Sequence, residues 1–214
     1  MKTLVFDFDG TLCHSMPLID KAFTDAILKY GPKDLTSDDI KACFGPNESG
    51  ILLKIVGKEK HHDAFYEYLK SYEKYHEEYL NGFIDGIEEL LIRLKEEGYR
   101  IYVLTGRSVE STMISFSKLD AFKYFDDAYY GGLEGSIKDK MLIQLCEDHQ
   151  LKPEDLLYIG DSPNDVIQCR KVGVKIISAK YDNFKSSDSL EALNPGMVAE
   201  NIAKLAYLID KYGK

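Results

Sequence analysis

The sequence predicts an α/β fold in which a parallel sheet is covered by helices on both faces. Five short apolar runs rich in Val, Ile and Tyr recur along the 214 residues, and amphipathic helical patterns lie between the later ones. Strands that alternate with helices in this way are typical of a parallel sheet with buried strands. The predicted strands cover residues 4–8, 100–104, 127–130, 156–159 and 174–178.

A separate helical module is predicted between the first and second strands. About 70 residues here show no strand pattern, and an ordinary crossover is much shorter. Ser15-Met16-Pro17 indicates a helix start, and apolar residues at spacings of three and four predict a long helix over residues 61–81. We therefore expect a helical domain at residues 15–84, inserted into an α/β core formed by residues 1–14 and 85–214.

Composition and charge argue against several classes of function. The net charge of −9, with no run of Lys or Arg to offset it, argues against binding to nucleic acid. No stretch approaches the roughly 18 apolar residues of a membrane span, and the first residues do not resemble a secretory signal. We expect a soluble, cytoplasmic protein and no membrane partner. The oligomeric state stays open, with a monomer slightly favoured.

The four cysteines are predicted to be free thiols. They show no CxxC spacing, and most of them lie in apolar helical or strand-flanking patterns. They are Cys13, Cys43, Cys146 and Cys169.

Two acidic residues follow one another closely at the end of the first predicted strand. Asp7 and Asp9 are two positions apart, so on a strand both side chains point to one side. Gly10 allows a sharp turn, which the Thr11 hydroxyl can support by hydrogen bonding to the backbone. An ordinary strand-to-turn signal with solvated acids is the alternative for this tetrapeptide alone.

Further polar groups follow the strand ends that meet the same crevice. Thr105-Gly106-Arg107 ends the second strand, Asp161 and Asp165 follow the fourth, and Lys138 opens the helix before the fourth. The carboxyl ends of parallel strands form the ligand-binding edge of an α/β sheet. This distribution favours a functional site over a set of unrelated solvated loops.

These motifs together resemble those of the haloacid dehalogenase superfamily. The first motif reads Asp7-Phe8-Asp9-Gly10-Thr11-Leu12, and the second, third and fourth correspond to Thr105, Lys138 and Asp161 with Asp165. The resemblance implies a doubly wound parallel sheet with strand order 5-4-1-2-3, and it identifies the helical module as the family's small helical cap. Among capped members the chain looks most like phosphoglycolate phosphatases.

The resemblance also implies a mechanism with Mg²⁺ as cofactor. Asp7 would be the nucleophile, and Asp9 the general acid and base. Mg²⁺ would be held by Asp7, Asp161 and the backbone carbonyl of Asp9, with Asp165 in support. The phosphoryl oxygens would be bound by Thr105, Gly106 and Lys138. Without Mg²⁺ the carboxylates and a dianionic phosphate would repel strongly in a partly desolvated crevice, so the metal is expected to be essential.

The acid at position 9 indicates which reaction is expected. A proton donor there serves an alkoxide leaving group, which points to hydrolysis of a small phosphorylated metabolite. A phosphomutase of the beta-phosphoglucomutase type is the alternative within the family. A catalytically weak binding module is the alternative from another class, although no motif residue is missing.

Several residue assignments remain open at this point. The resemblance favours Lys138 over Lys140 for phosphate binding by its distance along the chain from Asp161, and Lys140, about 200° away on the same helix, would be a solvated residue. His14 can contact substrate or cap a helix, and Arg107 can bind a substrate anion or pair with a surface acid. Asn47 lies in the segment 44–49 that resembles a cap loop, although Gly-Pro-Asn is also a plain turn.

Overall fold

The computed structural model describes residues 3–135, 137–181 and 188–213 and contains a six-stranded parallel sheet in the order β3-β2-β1-β4-β5-β6. The predicted order 5-4-1-2-3 is confirmed, and a further strand lies outside β5. The strands are β1 Thr3–Phe6, β2 Arg100–Leu104, β3 Asp127–Tyr129, β4 Leu156–Gly160, β5 Lys175–Ala179 and β6 Val198–Ala199.

Ten α-helices accompany the sheet in the part of the chain that the structure describes. The first four lie in the segment inserted after β1: α1 Met16–Tyr30, α2 Ser37–Ala42, α3 Glu48–Val56 and α4 Lys58–Tyr79. The others are α5 Ile87–Glu96, α6 Val109–Lys118, α7 Lys138–Asp148, α8 Pro163–Val172, α9 Asp188–Leu193 and α10 Ile202–Tyr212. None of these helices is long and apolar enough to cross a membrane.

The central strand β1 is buried on both faces. Leu4 and Phe6 pack into the apolar core on one side of the sheet, and Val5 packs into the core on the other. Alternate residues of a strand point to opposite faces, so an uninterrupted apolar run is what a doubly covered strand requires. The two neighbours of β1 are β2 and β4, which brings the ends of these three strands to one place.

The inserted helices form their own apolar interior between α1 and α4. The Phe23 ring lies 4.8 Å from the Tyr68 ring, centroid to centroid, and Ala22 and Ala26 are fully buried beside them. The predicted start of α1 is confirmed, with a proline in its first turn, but the Ser15 side chain does not cap the helix. The predicted long helix exists as α4, which begins and ends slightly earlier than expected.

The cysteines are free thiols, as predicted, and three of the four are buried.

A buried polar contact joins α4 to α6. The Ser115 Oγ atom lies 2.8 Å from the Tyr72 hydroxyl and 3.1 Å from His76 Nε2. The His76 side chain is almost completely buried. Burial, followed by the positive charges of Arg107 and Lys118, lowers the pKa of His76 from 6.5 to about 4. His76 is therefore neutral in the folded protein at neutral pH.

We expect His76 to make the protein less stable as pH falls from about 6.5 to about 4. Over that range the unfolded chain binds a proton at this residue and the folded chain does not, which costs roughly 2 kcal/mol between pH 7 and pH 5. Urea unfolding of wild type and His76→Gln at both pH values measures the effect, and the stability gap should shrink at the lower pH. A gap that stays constant would contradict a neutral, buried His76. His62→Gln, an exposed histidine of the same helix, is the control.

Candidate active site

The loop after β1 places two carboxylates at the carboxyl edge of the sheet. The strand β1 ends at Phe6, earlier than predicted. The backbone N of Asp7 still donates a hydrogen bond to Ile159 O of β4, at 2.8 Å. Asp7 Oδ1 accepts a hydrogen bond from Phe8 N at 2.8 Å, which fixes the side chain. Gly10 then reverses the chain with φ 78°, a left-handed conformation that favours glycine.

A largely buried lysine connects this loop to the next segment of the site. Lys138 Nζ lies 2.6 Å from Asp7 Oδ2 and 2.6 Å from Asp165 Oδ1, and 3.1 Å from the Tyr158 hydroxyl. It is the first residue of α7. Lys140, two residues further along the same helix, is exposed. The structure therefore brings Lys138 into the acidic cluster and leaves Lys140 outside it.

The end of β4 supplies the other two acids. Asp161 follows the strand directly and is buried. Asp165 lies in the first turn of α8, where its Oδ2 accepts hydrogen bonds from Ser162 N at 3.0 Å and Ser162 Oγ at 2.7 Å. Because its other oxygen accepts from Lys138, both oxygens of Asp165 are engaged. This arrangement suits a residue that positions the lysine and the loop.

The electrostatics of the cluster fit a divalent cation. Oxygen atoms of Asp7, Asp161 and Asp165 lie within 4.8 Å of one another. Burial raises the pKa of Asp7 to about 7; the charge of Lys138 opposes this shift, and Asp165 and Asp161 add to it. Burial also acts on Asp165, but Lys138 and Ser162 together lower its pKa. With all three carboxylates ionised, one ammonium leaves two negative charges uncompensated, and hard oxygen donors are those that Mg²⁺ prefers.

Asp9 lies on the wall of the same cavity as Asp7. It is half-buried, and its Oδ1 accepts a short hydrogen bond from the Ser15 hydroxyl. This bond uses the side chain that sequence would assign to capping α1. The predicted role of the Thr11 hydroxyl is wrong, because that oxygen is buried without a hydrogen-bond partner among the described residues.

Thr105 and Gly106 follow β2, but only Gly106 lines the cavity. Thr105 is fully buried, and its Oγ1 accepts a hydrogen bond from Arg107 N at 3.3 Å. Gly131, after β3, approaches Gly106 so closely that a Cβ atom there would lie 2.0 Å from Gly106 O. A side chain at position 131 would therefore displace the loop that carries Gly106.

Arg107 is buried at the cavity wall and is paired with a residue that the sequence did not single out. Its Nε lies 3.6 Å from Glu48 Oε1, and its guanidinium lies 5.0 Å from the Phe8 ring centroid and 4.7 Å from that of Tyr72. A surface acid was the expected alternative to a substrate anion. The structure shows instead a buried ion pair.

Glu48 connects α3 to the core as well as to Arg107. Its carboxylate accepts hydrogen bonds from Ser108 N at 2.6 Å and from Ser111 Oγ at 2.5 Å. Glu48 is the first residue of α3, in the segment 44–49 that was interpreted as a cap loop or a plain turn. No local signal in the sequence distinguishes this glutamate from an exposed one, because its partners lie about 60 residues away.

The other two suggested substrate contacts do not line this cavity. Asn47 caps α3, where its Oδ1 accepts from Gly50 N at 3.0 Å, and its Nδ2 donates to Gly131 O at 3.0 Å. His14 lines a second cavity, together with Tyr181 and Glu200 among others. Asn47 therefore holds the helical segment against the loop after β3.

The amino-acid sequence matches the model of a known protein family over most of its length. A family described as haloacid dehalogenase-like hydrolase matches residues 4–179. The chain belongs to this family. It is therefore a hydrolase, and the matched segment includes the first motif, the inserted helices and the acids after β4.

The similarity to known proteins covers almost the whole chain. Pyrophosphatase PpaX of Bacillus cereus is 26% identical over 211 residues, which are 96% of this chain and 94% of the relative. The crystal structure of a predicted phosphatase from Clostridium acetobutylicum has a TM-score of 0.76 at 26% identity and covers 98% of both chains. CbbY from Rhodobacter sphaeroides, in complex with xylulose-1,5-bisphosphate, has a TM-score of 0.77 over 96% of both chains. Its identity is 15%, so this likeness shows the fold alone.

We expect Mg²⁺ to bind the folded acidic cluster in preference to the unfolded chain, and therefore to raise the melting temperature of this protein. A saturating concentration should raise it by about 5 °C or more. Asp161→Asn should lose this shift while being at least as stable as wild type without metal, since it removes a buried charge. Differential scanning calorimetry with Mg²⁺ and with EDTA measures both quantities. Asp34→Asn, at an exposed aspartate, should keep the shift; an undiminished shift in Asp161→Asn would exclude Asp161 as a ligand.

Proposed function

We propose that this hydrolase is a Mg²⁺-dependent phosphatase that acts on a small phosphomonoester through an aspartyl-phosphate at Asp7. The observation that carries the proposal is the position of Asp7 in the cavity, with Lys138 against one oxygen and Asp161 beside it. Asp9 lines the same cavity two residues away, where a proton donor for the leaving group is needed.

Asp7 and Asp161 would hold Mg²⁺ together with the backbone carbonyl of Asp9. When bound, the ion neutralises charge on the phosphoryl oxygens and on the carboxylates around them. Lys138 would contact the phosphoryl group from the other side, as an ammonium that is already placed by Asp165. Gly106 lines the cavity without a side chain, so the phosphoryl group can approach the backbone there.

The proposed reaction proceeds in two steps at one phosphorus atom. A carboxylate oxygen of Asp7 forms a bond to phosphorus, the ester bond breaks, and Asp9 gives its proton to the departing alkoxide. Asp9, now ionised, accepts a proton from water as that water attacks the phosphorus and breaks the bond to Asp7. Inorganic phosphate leaves, and both aspartates return to their starting states.

We further propose that the helices within residues 15–84 act as a cap over the core formed by residues 1–14 and 85–214. The cavity is lined from both parts, and the contacts of Asn47 and Glu48 with the core hold them together. Segments near Ser15 and at residues 82–86 would serve as hinges. Closure of such a cap excludes water from the leaving-group side of the phosphoester.

The proposal predicts that Asp7→Asn abolishes release of phosphate from 4-nitrophenyl phosphate. An amide is a poor nucleophile for phosphorus, so kcat should fall by roughly 10³-fold or more, as is typical when an enzyme loses its nucleophile. Colorimetric phosphate release with Mg²⁺ and with EDTA measures it, and wild-type release should disappear with EDTA. Substantial Mg²⁺-dependent turnover by folded Asp7→Asn would exclude the aspartyl-phosphate. A mutase would instead pass the phosphoryl group between sugars with little release.

The two lysines of α7 provide a matched pair of variants. Lys138→Met should lower kcat about 100-fold or more, because it removes the ammonium next to the transferred group and frees Asp165. Lys140→Met removes an exposed ammonium from the same helix and should change kcat less than twofold. Steady-state kinetics on one aryl phosphate compares them. Equal losses in the two variants would show that Lys138 has no special role.

A further inference from the structure

We infer, on the basis of the proposed phosphatase activity, that the preferred substrate is a phosphomonoester whose leaving alcohol is uncharged and largely apolar. The geometry that supports this inference is a cavity with acids and a lysine at one end and an apolar wall at the other. The only arginine on the cavity wall, among the described residues, is already paired with a glutamate.

The cavity has a volume of about 440 Å³, which is within the usual range for a small-molecule site. Asp7, Lys138 and Asp161 form the end where the phosphoryl group would bind. The helical segment contributes mainly carbon to the rest of the wall. These apolar residues are Met16, Ile19, Phe23, Phe44, Pro46 and Ile51.

One face of α1 supplies half of this apolar wall. Met16, Ile19 and Phe23 are spaced by three and four residues, so they lie on the same side of the helix. The Phe44 ring lies 6.2 Å from the Phe23 ring, centroid to centroid, and extends the surface towards the opening. Phe44 is 40% exposed, so a bound apolar group would cover carbon that water now contacts.

The charges near this wall disfavour an anionic leaving group. Asp9 and Glu48 line the cavity, and Arg107 on the same wall is paired with Glu48. To bind a second phosphate or a carboxylate, Arg107 would have to exchange Glu48 for the substrate. Glu48 would then keep its hydrogen bonds from Ser108 N and Ser111 Oγ but would lose its positive partner while still buried, which is costly.

The same charges argue against pyrophosphate as the preferred substrate, although a relative is named as a pyrophosphatase. Pyrophosphate releases a phosphate as its leaving group, which carries at least as much negative charge as a carboxylate. In the cavity that group would face Asp9, Glu48 and apolar carbon. We therefore expect weaker activity on pyrophosphate than on an apolar ester.

A series of straight-chain alkyl phosphates from propyl to hexyl tests the inference with Mg²⁺ present. The acidity of the leaving alcohol hardly changes along this series, so differences in kcat/KM report burial of the chain. We expect kcat/KM to rise about fourfold for each added methylene until the cavity is filled. The kcat/KM for hexyl phosphate should be at least about tenfold higher than that for each of three charged substrates. These are an alkyl phosphate of the same length that ends in a carboxylate, pyrophosphate, and phosphocholine.

The outcomes separate the inference from the proposed function. A flat series, or a preference for the carboxylate, pyrophosphate or phosphocholine, would overturn the apolar leaving group while leaving a phosphatase. No Mg²⁺-dependent release from any ester, including 4-nitrophenyl phosphate, would overturn both. A rising series with poor use of the charged substrates supports the inference without any variant.

A variant of the glutamate tests the role of the ion pair. Glu48→Gln leaves Arg107 without its counter-charge, so kcat/KM for the carboxylate-ended ester should rise about tenfold relative to hexyl phosphate. Glu59→Gln, at an exposed glutamate in the first turn of α4, should leave that ratio unchanged. An unchanged ratio in folded Glu48→Gln would show that the pair does not select against anions. If that variant does not fold, the alkyl series decides alone.

Discussion

The contact of Lys138 with Asp7 and Asp165 is the constraint on which the site depends. Asp7 and Asp165 are buried and Lys138 is largely so, and a buried charge is tolerated only when it is paired and hydrogen-bonded. The lysine lies between the loops after β1 and β4, which are adjacent because those strands are neighbours in the sheet. The negative charge that remains when three acids share one lysine explains why the site suits a divalent cation.

A second buried pair, Glu48 with Arg107, relates the helical segment to the core. The glutamate begins α3, and the arginine follows β2, so this contact fixes one wall of the cavity against the other. It also gives the buried Arg107 guanidinium a counter-charge. This ion pair therefore fixes α3 against the core, and it is the basis for the leaving group that we infer above.

The sequence predicted the fold well where local pattern and global structure agree. Five strands and the helical insertion were evident because buried strands are short apolar runs and helices repeat every three to four residues. The strand β6 was missed because Val198–Ala199 has only two residues and no alternation to detect. The helix α3 was missed because Gly45-Pro46-Asn47 is typical of a turn. Only the structure shows that the Asn47 side chain accepts a hydrogen bond from Gly50 N and so caps the helix.

The sequence by itself determined which side chains can do chemistry and at which strand ends they lie, because those positions depend on spacing along the chain. Only the tertiary structure decided how they are paired. It brought Lys138 to Asp7, turned the Thr105 hydroxyl towards Arg107 N, and buried Arg107 with Glu48. It also left Asn47 and His14 outside the cavity. The two ion-paired sets, Lys138 with Asp7 and Arg107 with Glu48, join residues about 60 or more positions apart, which leave no mark on local pattern. Charge compensation and cavity shape therefore follow from packing alone.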